Sequence, residues 1–349
     1  DVYKRQIWCG NGRAPLPAEW SGAMAEITLV EAVNLALARA MTEDEGVLVL
    51  GEDVGLDGGV FRATDGLIAR FGEARVRDTP LAEAAIAGVS VGLAAQGLRP
   101  VAEIQFMGFI YPAIDQLANH AARLRNRTRG RLTCPMVLRA PYGGGIGAPE
   151  HQSESMEAML AHVPGLRVVI PSSPAKAYGL LLAAIRDPDP VVFLEPKRIY
   201  RAVKAEVADD GKALSLDRCF VVREGGDVTF VTWGAMMRET QAAAGELAER
   251  GIEAEIIDVA TLKPIDMETI AASIEKTGRC VIIHEAPQSG GWGAEIAARL
   301  ADEHITGLLA PVKRVAGYDT VMPLPKMEAH YMPQAGAIVA AALEVMRFA

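Results

Sequence analysis

Short, almost continuously apolar runs that alternate with helix-length stretches constrain this chain more than any other feature. VLVLGEDV (47–54), RVRDTP (75–80), RPVAEIQF (99–106), CPMVLRAP (134–141), LRVVIPSS (166–173) and PVVFLEP (190–196) read as buried strands, with helices expected at 81–97, 110–125 and 174–186. Parallel strands need long, usually helical crossovers, and helices on both faces of a sheet leave its strands no polar side to show. The alternation restarts further on: DVTFVTW, RETQAAAGELAERG, EAEIIDV, METIAASIEKTG, RCVIIHEA, a helix near 293–303, PVKRVAG and a last helix from about 333. This predicts two doubly wound, mostly parallel α/β domains, 24–204 and 223–349, joined by a polar linker at 205–222. Thr28 before LVEAVNLALARAM, with Glu31 three residues on, predicts a capping box opening the first helix. Residues 1–23 lack this periodicity and are expected to be a non-native or disordered extension.

Composition narrows the function classes. A formal charge of −9 disfavours nucleic acid as a partner, because phosphate binding needs a basic surface. No apolar run reaches the ~18 residues of a membrane span. The four cysteines show no C-x-x-C spacing, which suits a reduced, cytoplasmic chain without a cysteine metal site.

Ligands bind at the carboxyl ends of the strands in open parallel sheets. Thr79 and Pro80 there suit a helix cap and first position, which puts Glu83 in the first turn. Leu81, Ala82, Ala84, Ala85 and Ile86 would bury its carboxyl and raise its pKa towards proton-sharing work. A carboxylate favoured only by the helix dipole fits the same spacing. The glycine run 143–147 could bring backbone close to a ligand or serve only as a flexible turn. The arginines of RLRNRTRGR (123–131) suit a solvated or subunit-facing loop, and His151-Gln152-Ser153 lacks the G-x-S-x-G of a serine nucleophile.

GEDVGLDGGVFRATDGL, FGEARVRDTPLAEAAIAG, LRPVAEIQFMGFIYPAIDQ, VPGLRVVIPSSP, IRDPDPVVFLEPKRIYR and TGRCVIIHEA, in this order, resemble the beta subunit of the decarboxylating component of 2-oxo acid dehydrogenase complexes. The resemblance covers residues 24–349. It implies a transketolase-like fold, with a pyrimidine-binding domain followed by a C-terminal domain, and thiamine diphosphate shared with an alpha subunit that holds Mg2+. The family's glutamate on the aminopyrimidine ring falls on Glu83, where a carboxyl supports the ring tautomer that takes up the thiazolium proton. Leu81, Gln105 and Phe109 fall on cofactor-lining positions, with Phe109 as the aromatic packed on the pyrimidine. A family potassium site, built largely from carbonyl oxygens, falls on Met136, Ala184, Ile185, Asp187 and Asp189. The G-D-G motif with its following Asn, which holds magnesium and diphosphate in single-chain relatives, is absent, so the chain resembles half of an active site.

One position departs from the family. Its active-site histidine falls on Gln152, with His151 one residue earlier. Gln cannot exchange a proton near neutral pH, and this puts acyl transfer in question. On an extended segment the two side chains would point oppositely. The resemblance implies a 2-oxo acid substrate with pyruvate preferred, an α2β2 heterotetramer, and docking to the dihydrolipoamide acyltransferase core and its lipoyl domain. A branched-chain or acetoin relative, or a catalytically impaired assembly subunit, are the competing readings.

Overall fold

The computed structural model describes residues 24–348, so the expectation for residues 1–23 lies outside the described residues. β1 (Met24–Thr28) leads into the capping box: Thr28 Oγ1 accepts the Glu31 N–H at 3.4 Å, and the Glu31 carboxylate accepts the Thr28 N–H at 2.8 Å. The helix that follows, Leu29–Glu43, is apolar on most faces and buried along most of its length. It packs against the helix Pro174–Arg186, capped by Ser173 and started by Pro174, and together they cover one face of the first sheet.

That sheet contains β2 (Val47–Gly51), β3 (Val76–Asp78), β4 (Arg99–Glu103), β5 (Val137–Tyr142), β6 (Arg167–Val169) and β7 (Val191–Pro196), all parallel, in the order β6-β7-β5-β4-β2-β3. β8 (Lys204–Ala208) pairs antiparallel with β1, so the stretch read as a linker carries a strand. The second sheet, in the order β14-β13-β10-β11-β9, contains β9 (Phe220–Arg223), β10 (Val228–Thr232), β11 (Ala254–Asp258), β13 (Cys280–Pro287) and β14 (Lys313–Gly317); only β9 runs antiparallel. β12 (Thr261–Lys263) leaves this unit and pairs antiparallel with β6, adding a seventh strand to the first sheet. The seam is continuous with the core, since one apolar cluster joins Leu138, Leu166 and Val168 to Trp233, Leu262, Ile282 and Leu300.

Two expectations shift. The helix expected over 81–97 runs from Glu83 to Ala95 with Ala82 at its cap position. Thr79 does not cap it: it lies three residues before the cap position, its N–H extends the sheet by donating to the Gly51 carbonyl at 2.9 Å, and its buried Oγ1 has no hydrogen-bond partner among the described residues. The helix expected over 110–125 is broken into short 3₁₀ turns, a π-type turn at Gln116–His120 and a final α-turn at Leu124–Arg127. Among the described residues no helix is long and apolar enough to cross a membrane.

Candidate active site

The carboxyl ends of β2, β3 and β4 meet the start of the helix Glu83–Ala95. Gly51 runs directly into Glu52, which is buried, and Asp53, which adopts φ +57°. Gln105, two residues beyond β4, donates through Nε2 to Asp53 Oδ2 at 3.0 Å. Burial raises the Glu52 carboxyl above its ordinary value, and the nearby charges of Glu83 and then Asp53 raise it further. Three carboxyls and a carboxamide therefore gather at one strand end. Sequence reasoning missed Glu52 and Asp53; the signal was the G-E-D that directly follows an apolar strand.

Glu83 itself is half-buried rather than enclosed. Leu81 is 80% exposed, and Ala84 and Ala85 are also exposed. The expected burial by these neighbours is thus corrected: a helix start presents only part of its circumference to the sheet, and Ile86 and Ala87 take that side. Among the described residues no group donates a hydrogen bond to the Glu83 carboxylate, so its acceptors are open to a donor from outside the chain. That fits a protonated ring nitrogen.

Phe109 is half-buried, its ring edge-on to Phe106 at 5.5 Å, and Phe106 is edge-on to Phe61 at 5.4 Å. On the solvent side the His151 ring lies 5.5 Å from Phe109 at a 34° tilt. Residues 150–152 form a 3₁₀ turn, with the Gln152 N–H on the Pro149 carbonyl at 3.0 Å and the Ser153 N–H on the Glu150 carbonyl at 2.9 Å. The expected extended geometry is therefore corrected. Of the two adjacent candidates it is His151 that faces Phe109, while Gln152 is half-buried and its side-chain amide makes no hydrogen bond among the described residues.

Met136, Ala184, Ile185, Asp187 and Asp189 gather at the start of β7 and the end of the helix Pro174–Arg186. The Met136 carbonyl accepts the Val191 N–H at 3.0 Å, and Asp187 Oδ1 accepts the Asp189 N–H at 2.8 Å. Arg99 Nη1 already donates to the carbonyls of Ile185 at 2.9 Å and Asp187 at 3.3 Å. Carbonyl and carboxylate oxygens suit a hard cation, which would share those two carbonyls with the guanidinium. In the arginine run, Arg125 pairs with Asp189 Oδ1 at 2.7 Å on the surface.

Behind this surface the molecule buries more charge. Arg139, fully buried, forks onto Glu195 at 2.6 and 2.8 Å and reaches Glu103 Oε2 at 2.6 Å. At the seam between the two sheets, the Lys197 amine has no hydrogen-bond partner among the described residues, and burial pulls it down to about 7.

Comparison with known proteins places the chain. Residues 25–203 match the transketolase pyrimidine binding domain and residues 217–338 the transketolase C-terminal domain. The chain is similar to the pyruvate dehydrogenase E1 component subunit beta of Acholeplasma laidlawii, at 51% identity over 91% of this chain and 97% of that one. The subunit of the same name from Bacillus subtilis (strain 168) is 47% identical over 93% of this chain and 100% of its own length. Among solved structures, a split gene transketolase described as an inactive beta4 tetramer superposes with a TM-score of 0.77 and 25% identity, over 93% of this chain and 99% of that one.

Proposed function

This chain belongs to the family of E1 component beta subunits built on transketolase pyrimidine-binding and C-terminal domains, and we propose that it contributes the pyrimidine-binding half of a thiamine-diphosphate site that oxidatively decarboxylates pyruvate. Glu83 carries the reading: a half-buried carboxylate at a helix start, with its acceptors free and Glu52 beside it holding a raised affinity for a proton.

Thiamine diphosphate, when bound, supplies an electron sink for loss of carbon dioxide. Within this chain, Glu83 would hold a proton-sharing contact to the aminopyrimidine, and Glu52 beside it, raised by burial and by the Glu83 charge, adds to the negative field there. Phe109 gives the ring an apolar wall, stiffened from behind by Phe106 and Phe61. Gln105, fixed by Asp53, and Leu81 border the same space. The exposure of Leu81 suits a surface that a partner covers, in keeping with an alpha subunit that brings diphosphate and Mg2+ into an α2β2 assembly. His151 and Gln152 stand at the outer edge of Phe109, where a lipoyl arm from the acyltransferase would arrive. A division into two domains, with the connection between β8, which ends at Ala208, and β9, which starts at Phe220, a potassium ion at the Asp187 turn and a cytoplasmic location belong to the same reading.

The test is to purify the chain with the alpha subunit, thiamine diphosphate and Mg2+, and to follow carbon dioxide release from pyruvate and 2-oxoisovalerate with and without a lipoyl domain. Release from pyruvate that the lipoyl domain accelerates is the expected result. Release from neither substrate by a stable complex that binds the cofactor overturns it. Gln152 favours one second reading, a subunit impaired in acyl transfer, which would show decarboxylation that the lipoyl domain fails to accelerate.

A further inference from the structure

The glycine run 143–147 is closed by the second domain of the same chain. Gly143, Gly145 and Gly147 take φ of +84°, +87° and +69°, and this left-handed alternation turns backbone N–H groups into an anion-binding nest. Its occupant is a carboxylate. Gly145 N–H donates to Glu328 Oε1 at 2.7 Å and Gly147 N–H to Oε2 at 2.8 Å, while Gly144 N–H reaches Glu285 Oε2 at 3.2 Å. Side chains on the loop would collide with what packs around it. A Cβ at Gly143 would lie 2.3 Å from Glu285 Oε1, at Gly144 2.7 Å from Met322 Cε, and at Gly145 2.4 Å from Arg198 Cδ. Glu328, on the helix Pro325–Tyr331, is 7% exposed and fills the nest with both oxygens.

The other side of the loop touches the candidate active site. Gly143 N–H turns away from the nest and donates to the Glu154 carbonyl at 3.0 Å, which ties the loop to the segment after the 150–152 turn. That turn begins three residues after Gly147. It is wedged against Gly108, where a Cβ would meet the His151 carbonyl oxygen at 1.6 Å, and Gly108 directly precedes Phe109. Nest, turn and aromatic wall thus form one line of contacts with no slack at either end.

We propose that Glu328 is a positioning residue: its carboxylate, seated in the 143–147 nest, sets the 150–152 turn and so the place of His151 and Gln152 beside Phe109. Its effect on turnover rests on the function proposed above; its effect on the loop does not. The second domain would then govern the lipoyl-facing edge of a site whose cofactor contacts lie in the first.

Glu328→Ala, assembled with the alpha subunit, tests this by hydrogen exchange and by two assays, dye-linked decarboxylation and lipoyl acylation. Exchange should rise selectively over 144–153. Acylation should fall about ten- to hundredfold, the effect of misplacing reacting groups by an ångström or so, and decarboxylation should fall less. Acetate, a carboxylate small enough for the vacated nest, should restore both the protection and the acylation rate, and chloride at equal ionic strength should not. Glu328→Gln keeps one acceptor and should show a smaller loss, which preserves the test if the alanine variant does not fold. Unchanged exchange over 144–153 in the variants, or a loss of protection spread over the second domain that acetate does not reverse, overturns the proposal. Absence of 2-oxo acid turnover in the wild-type complex would instead overturn the proposed function, while the exchange and acetate measurements still decide the role of Glu328.

Discussion

Glu157→Gln separates the burial of a charge from the burial of a side chain. Glu157 is fully buried at the seam between the two sheets. Oε1 accepts the Trp233 indole N–H at 3.3 Å, and Oε2 has no hydrogen-bond partner among the described residues. Burial, with the neighbouring Glu285 adding to it, lifts the carboxyl from 4.5 to about 8. The native state therefore binds this proton more tightly than the unfolded chain does. The contribution is fully present below pH 4.5 and is lost as pH rises through about 8. At about 1.4 kcal/mol per pH unit the full span corresponds to roughly 5 kcal/mol. Glutamine keeps the shape and the acceptor for Trp233 but carries no titrating proton. The variant and the parent should melt close together near pH 5 and separate progressively towards pH 9, the variant ending higher by on the order of 5 °C. Lys197, lowered to about 7, titrates in both proteins, so the comparison of Tm against pH reports Glu157 together with its coupling to the buried Glu285. A gap that stays constant from pH 5 to pH 9 would refute the reasoning.

Glu83→Gln should lower carbon dioxide release by the assembled complex at least about a hundredfold, the usual worth of a proton-sharing group, while Tm moves little, because the carboxylate makes no hydrogen bond among the described residues. Gln152→His should raise lipoyl acylation more than dye-linked decarboxylation; equal effects on the two assays would assign Gln152 another role. Arg139→Met leaves Glu103 and Glu195 buried without a counter-charge and should cost about 3–5 kcal/mol in urea unfolding. Removing the partner of a buried pair strands the remaining charge, so Arg139→Met combined with Glu195→Gln and Glu103→Gln should recover much of that loss.

Local physics was legible in the chain. The Thr28–Glu31 box, the Ser173-Pro174 helix start and the apolar strands formed where caps, fixed backbone angles and uniform burial left little choice. Glu83 could be nominated because a carboxyl at a strand-to-helix junction is a local feature. Its surroundings could not, since the Leu81 and Ala84 side chains face outward only once the sheet has chosen which side of that helix to cover. The same holds wherever a property needs two distant segments. The step of β12 into the first sheet, the Gly143–Gly147 loop around Glu328, and the burial of Glu157 under Trp233 join residues 76 to 183 positions apart. The sequence by itself determined most of the central strands and their flanking helices and where a carboxyl could sit, because those depend on neighbours along the chain; the broken 110–125 segment and the strands β8 and β12 did not follow from it. Only the tertiary structure decided which carboxyls lose their water, which backbone N–H groups meet an anion and which adjacent side chain faces Phe109, because desolvation and orientation depend on what packs across the gap.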